Sequence, residues 1–392
     1  MKAKNTGSNP GDTKLKSKKT AGNSTAASVK PTRVVKAATA ERKPAATKQK
    51  PAKASAKAVS KPVAAKPAAR APLRLVPTQA KPAQKKATVL NPASKPKPIT
   101  AHPNADGAVR IYQIFYDDWH EQLLDPAFEP YDNRGVRSEL FEFDVFEKLA
   151  KSERTKGAEY WGALSWRFGE KTGLSGKDLH AAIAAKPGFD VYYCNPFPAN
   201  EAVYHNGWVQ GEPSHPSFMA LCKAFFEAAE LPVERLTSIQ TSGSFSAANY
   251  LIGKPAFWSA FLLFVRKALG KAERSMPPKM RALLHSKIAD QSSFHFGATY
   301  VPFIVERLLD TFLRTEGAGL KAFKIALPAR EQELNVHQKL LREMKDVAHR
   351  TKSNWLAAVW VNYRALYLSQ TNGREWTQKY LRAITPTTVK FG

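Results

Sequence analysis

Arg167 and Lys171 stand where an apolar, aromatic run, Glu159-Tyr-Trp-Gly-Ala-Leu-Ser-Trp-Arg-Phe168, gives way to the polar turn Gly-Glu-Lys-Thr-Gly-Leu174. A buried strand that delivers two cations to the start of a helix builds an anion site of the kind α/β proteins use for phosphate. The plainer alternative is two surface charges at a strand end. Residues 201–216 hold the densest polar group: Glu201, His205, Asn206, Trp208, Gln210, Glu212 and His215. Three chemistries compete there. His205, Glu212 and His215 are metal-ligand types, but their spacing matches no His-Glu-x-x-His motif. A substrate pocket would use a His or Glu as general base and Trp208 as a sugar platform. A capped helix junction would use the same polar groups on backbone.

Single residues extend this list. Asn249 is the lone amide in the apolar run Phe245-Ser-Ala-Ala-Asn-Tyr-Leu-Ile-Gly253. If buried it must be paired, with a backbone turn or with a ligand. Glu306 and Arg307 interrupt the apolar helix expected over 300–313. Adjacent helical residues do not face each other, so each needs a separate partner. Glu306 then reads as a general base or as the partner of Arg167.

The elements that position these residues follow from periodicity. Val109–Tyr116 reads as a first buried strand running into Asp117-Asp118-Trp119-His120, the kind of strand end where open α/β sheets bind ligands. Residues 124–133 read as a loop. Ser138 fits an N-cap for a helix to Ala150 that turns Leu140, Phe141, Val145 and Leu149 inward, leaving Glu139, Glu142 and Glu147 on a solvated face. The Glu159–Phe168 run is the second strand, 175–185 a helix, and Phe189–Cys194 the third strand. Strand, helix, strand, helix, strand argues for a parallel sheet covered by helices. Beyond it come a helix from about His215, the strand 245–253, a long helix from Lys254, the helix over 300–313 and a last strand, 320–327. Two helices close the chain, over 329–350 and 354–368. They pack on the core, on a second subunit or on a membrane surface.

The chain has 392 residues and a formal charge of +27. Residues 1–106 carry 24 Lys and Arg against 3 Asp and Glu, a net of +21; the rest carries 36 against 30, a net of +6. The first aromatic residue is Tyr112. A Lys-, Ala- and Pro-rich segment without aromatics cannot bury enough apolar surface to offset chain entropy, so a disordered basic tail is expected over 1–106. Its Lys-Pro and Ala-Lys repetition resembles the tails of bacterial histone-like proteins. Dispersed cations bind nucleic acid, anionic lipid or acidic polysaccharide by counterion release; a spacer without a partner is the alternative. Two cysteines, Cys194 and Cys222, exclude a disulfide scaffold and a cysteine zinc site. No signal-like or membrane-length apolar run occurs, so the expected location is cytoplasmic, at most peripheral at the inner face of the membrane.

Three blocks stand in order: Tyr160-Trp-Gly-Ala-Leu-Ser-Trp-Arg-Phe168, Asn249-Tyr-Leu-Ile-Gly-Lys-Pro-Ala-Phe-Trp258 and Phe303-Ile-Val-Glu-Arg-Leu-Leu309. In that order, over roughly 110–327, they resemble a group of bacterial GT-A-like glycosyltransferases linked to capsule and surface-polysaccharide genes. The resemblance implies a three-layer, Rossmann-like α/β domain over 107–327; the two closing helices then make residues 328–392 a C-terminal helical extension. It implies transfer of a sugar from a nucleotide sugar to a glycan acceptor. Arg167 and Lys171 would bind phosphate, and Asp190 and Asn195 would orient donor sugar or nucleotide. His205 or Glu306 would deprotonate the acceptor, Trp208 would pack on a sugar face, and Asn249 would hold substrate. One departure matters: no Asp-x-Asp pair follows a strand, and Glu142-Phe-Asp144 sits within a helix. Either no metal residue is used and Arg167, Lys171 or Lys254 neutralises the diphosphate, or Mn or Mg is bound otherwise, or catalysis is lost. The last case leaves a different function, an inactive adaptor tethered to nucleic acid or an anionic membrane by its tail.

Overall fold

The computed structural model describes residues 108–136, 138–289, 296–382 and 389–392. The tail expected to be disordered, and its expected polyanion contacts, lie outside these residues. The described part is an α/β structure around one mixed, six-stranded sheet. The strands are β1 (Val109–Phe115), β2 (Glu129–Asp132), β3 (Tyr160–Ser165), β4 (Val191–Tyr193), β5 (Leu251–Gly253) and β6 (Ala322–Lys324), in the order β2-β1-β3-β5-β4-β6. β1 runs parallel to β2 and β3, and β4 runs parallel to β6. β5 is antiparallel to both its neighbours. The expected parallel sheet is therefore interrupted by one reversed strand. The expected 124–133 loop contains β2, a short edge strand whose Pro130 suits a sheet border.

Alternation along the strands divides two cores. Tyr112, Ile114, Trp161, Ala163, Val191, Tyr193 and Leu251 face a large aromatic core shared with helices Glu142–Ala150, Phe218–Ala228 and Pro255–Ser275. Ile111, Tyr160, Leu164, Tyr192 and Ile252 face the other side, against Leu179 and Ile183 of helix Gly176–Ala184. Strict period-two alternation is what a sheet covered on both faces requires.

Gly162 has a packing reason. A Cβ there would sit 2.3 Å from the Leu251 carbonyl oxygen, so the β3–β5 approach admits only glycine. Beside it, Trp161 and Trp258 stack at 4.4 Å, and the Trp258 indole N–H donates to the Trp161 carbonyl at 2.8 Å. Such a ring pair adds about 0.5–1.5 kcal/mol beyond its buried area.

Helices Val336–Thr351 and Asn354–Asn372 share a third core with residues 202–247. Leu341, Ala348, Ala357 and Trp360 pack with Ala202, Val203, Val209 and Phe245. Among the described residues no helix is long and apolar enough to cross a membrane.

Candidate functional site

Strands β1, β2, β3, β4 and β6 point their carboxyl ends to the same sheet edge. After β1 the chain first adds β2 on one side and then β3 on the other. That reversal is the kind of switch point outside the carboxyl ends of β1 and β3 at which open α/β sheets bind ligands in a crevice.

Aromatic rings line one wall. His120 stacks on Trp166 at 4.0 Å and 19°, and Trp119 meets Trp166 edge-on at 4.9 Å. Trp119 is 54% exposed, so one large ring remains open at the site. The His120 Nδ1 accepts the Tyr116 backbone N–H at 3.3 Å, which leaves the neutral ring's proton on Nε2. Burial holds the His120 pKa below its ordinary value, against the opposing pull of Asp117.

Charged groups form the other wall. The expected helix over 300–313 breaks at Glu306–Arg307 into Val301–Val305 and Leu308–Leu313. Burial pushes the Glu306 carboxyl up to about 7; Arg307 opposes that rise, nearby Glu142 adds to it, and Lys171 opposes it. The Glu306 side chain retains 23% exposure. A carboxyl that titrates near neutrality and still meets solvent is poised for proton transfer. Tyr250 lies in the field of both Glu142 and Glu306, and its hydroxyl meets Ser165 Oγ at 3.3 Å. Phe141, just before Glu142, has φ = 50°, a conformation that costs a non-glycine residue about 1–3 kcal/mol and collects at functional sites.

The three sequence blocks meet here. β3 and β5 are adjacent, Ser165 touches Tyr250, and Glu306 acts on Tyr250 electrostatically. Arg167 holds Glu170 through Nε at 2.7 Å and Nη2 at 2.5 Å, and lies over Trp166 at 5.7 Å. So Arg167 is the partner of Glu170, and the expected Arg167–Glu306 pair is replaced by the Lys171 field. Asn249, one residue before Tyr250, is 5% exposed, and its Nδ2 finds no acceptor among the described residues.

Other expected site residues lie elsewhere. Asp190 stands at the amino end of β4, on the opposite sheet edge. There it accepts the Lys321 backbone N–H at 2.8 Å and Lys254 Nζ at 3.1 Å. Those bonds tie β4, β6 and the start of helix Pro255–Ser275, so neither Asp190 nor Lys254 reaches the crevice. Trp208 is 1% exposed; Phe226 meets it edge-on at 4.9 Å and Phe218 stacks over it at 6.5 Å. With both neighbours in place it has no face for a sugar. His205 is 1% exposed, and its Nδ1 accepts Arg364 Nη1 at 3.0 Å. Burial, Arg364 and Lys345 hold its pKa well below normal, which suits a neutral core ring and not an open base.

Asn195 sits at the carboxyl end of β4 in a separate pocket. The dense polar group dissolves into structural bonds. Asn206 caps the helix at Gly207 through Val209 N–H, Glu212 accepts Met219 N–H at 2.7 Å, and His215 stacks on Phe303 at 4.0 Å. Arg307 comes within 3.7 Å of Glu306, so the two neighbours pair after all where the helix breaks. Its hydrogen bonds, however, go to Gly207 O, Phe303 O and Gln210 Oε1 at 2.6–2.8 Å.

Sequence reasoning assigned Glu142 to a solvated face. Ser138 instead binds Leu140 N–H at 3.2 Å in a turn, and the helix begins at Glu142, which turns that side chain toward Glu306. The ring wall was signalled by Trp119-His120 directly after a strand. Among the described residues no three His, Cys, Asp or Glu side chains converge on an ion position. Compared with protein-family models, curated proteins and solved structures, the chain matches none.

Proposed function

We propose that the crevice transfers a sugar from a nucleotide donor to a glycan acceptor, on a GT-A-like arrangement of the sheet. The observation that carries this reading is Glu306. It is a carboxyl raised to about 7 beside Glu142 and Lys171, on the sheet edge that also bears the Trp119–His120–Trp166 ring wall. In this reading the nucleotide base lies on Trp119 or Trp166, and Lys171 and Arg167 face the diphosphate. Ionised Glu306 takes the acceptor hydroxyl proton. The acceptor oxygen bonds to the sugar's anomeric carbon as the bond from that carbon to the diphosphate oxygen breaks, and the nucleoside diphosphate leaves with the electron pair. Lys171 makes no hydrogen bond or ion pair with other described side chains, so its charge remains available to a ligand; Arg167 would exchange Glu170 for phosphate.

The test is the thermal stability of the full chain against a panel of nucleotide sugars, each with and without manganese. Donor at 100 times its dissociation constant adds about 2.7 kcal/mol. A shift with one donor supports the reading, and Arg167→Ala should abolish it; an unchanged shift in that variant removes Arg167 from the site. No shift with any donor overturns the reading in favour of an adaptor.

A further inference from the structure

A second polar pocket lies on the same sheet edge, beyond the reversed strand, at the carboxyl ends of β4 and β6. Its volume is about 210 Å3, below the roughly 300–1,000 Å3 of sites for drug-sized ligands. It has room for a single ring.

Its charges are matched internally. Lys324 Nζ contacts Glu201 Oε1 and donates to the Ser242 carbonyl at 2.5 Å. Arg342 engages Glu331 through two nitrogens, at 2.7 and 2.6 Å. Ser242 donates from its backbone N–H to Asp346 at 2.7 Å and from Oγ to the same carboxylate. Each cation at the wall already holds an anion, and a charged ligand that broke the Lys324–Glu201 pair would leave Glu201, 2% exposed, poorly solvated.

One group is not satisfied. Asn195 is 2% exposed, and its Oδ1 has no donor among the described residues. The amide orientation is fixed by its other end. Nδ2 donates to Glu201 Oε1 at 2.7 Å and to the Phe197 carbonyl at 3.2 Å, two acceptors that would repel Oδ1. A buried acceptor without a donor is destabilising, and a ligand hydroxyl that reaches it would recover that loss. Ile325 and Leu327 add apolar wall on which ring C–H groups can rest.

We propose that this pocket binds a neutral, hydroxyl-bearing sugar ring, the terminal residue of the acceptor glycan, with a hydroxyl donating to Asn195 Oδ1. The assignment to an acceptor rests on the glycosyl-transfer reading; the preference for a neutral ring does not. It also moves Asn195 from the donor side, where the family resemblance put it, to the acceptor side.

Saturation-transfer NMR on the full chain tests this with methyl glucosides and galactosides against glucuronate and glucose 6-phosphate, with and without uridine diphosphate. Neutral glycosides should show transfer, and the charged sugars should show at least tenfold less. Asn195→Ala should remove the neutral signal. Ala326→Trp, at an exposed position on the pocket wall, should remove it by filling the space without disturbing the core. Both variants should retain the donor-induced thermal shift. Equal or stronger transfer to the charged sugars, no transfer to any sugar, or neutral transfer that survives Ala326→Trp overturns the proposal. Glycoside binding without any donor shift keeps the pocket and removes the transferase reading; a donor shift without glycoside binding does the reverse.

Discussion

The crevice at β1 and β3 and the buried block at 205–215 use the same residue types to opposite ends. Each has a His against a Trp and an Arg with a Glu nearby. In the block, His205 is closed in by Arg364 and Trp360, and Arg307 gives its hydrogen bonds to two carbonyls and an amide. In the crevice, Trp119 stays half open, Glu306 keeps a path to solvent, and Asn249 Nδ2 has no acceptor among the described residues. A residue's type says what chemistry it can do. Whether it does that chemistry depends on how much of its bonding capacity the fold has already used. The denser of two polar groups in a sequence is thus not the better candidate, because density can measure how many backbone groups a tight junction must satisfy.

The sharpest way to break the comparison is to alter one residue on each side. Trp208→Ala should lower unfolding free energy by about 3–5 kcal/mol, as large aromatic truncations in cores do, and urea denaturation reads this directly. If stability instead holds while donor or acceptor binding vanishes, Trp208 is a binding residue and the contrast collapses. Glu306→Gln should act the other way. It should cost transfer roughly 10²–10⁴-fold, the usual share of a positioned acid or base, and leave the melting temperature at or above the parent's, since it replaces a poorly solvated carboxyl by a neutral isostere. A variant of undiminished turnover would remove Glu306 as the base.

How far the sequence reaches can be read from individual residues. The runs at β1, β3 and β4 were legible as near-continuous apolar, aromatic stretches, which is how strands covered on both faces read. Helix Gly176–Ala184 was legible because Ser175 and Asp178 form a capping box. β5 was legible as a strand but not as a reversed one, since direction depends on where the intervening chain crosses and not on composition. β2 was hidden by its Pro and Asp residues. In the site, Glu306 and Lys171 were visible as charges set against apolar surroundings. Glu142 was not, because a start only four residues later than the Ser138 cap turns its side chain from solvent to the crevice. Asp190 misled for a related reason: a carboxylate beside a strand serves whichever sheet edge it lies on, and it lies on the edge away from the crevice.

A smaller effect separates the ring wall from the charged wall. Trp119→Ala should weaken nucleotide-sugar binding by about 1–3 kcal/mol, the range for a base stacked on an aromatic ring, with little change in stability because the ring is largely exposed. Isothermal titration at equal ionic strength measures it. Equal affinity in the variant would detach the rings from the site and leave only the charged wall.

The pH response gives the clearest sign. The folded-state pKa of Glu306, about 7, lies above the ordinary value of 4.5. Between those values the folded protein holds more protons than the unfolded one, so stability falls as pH rises through that window and levels off above it. A base must be ionised, so turnover should rise as pH passes through about 7 and level off above it. Stability and activity therefore move in opposite directions through one carboxyl. In Glu306→Gln the turnover slope should flatten and the stability slope should lose the share of Glu306; His205, neutral in the fold and held well below its ordinary pKa, adds a stability slope of the opposite sign, because the unfolded chain takes up that proton first, and leaves turnover alone. If the stability slope persists in Glu306→Gln, another buried acid carries it. Glu201 is the group to replace next, since burial raises its carboxyl too while Lys324 and Asn195 oppose the rise.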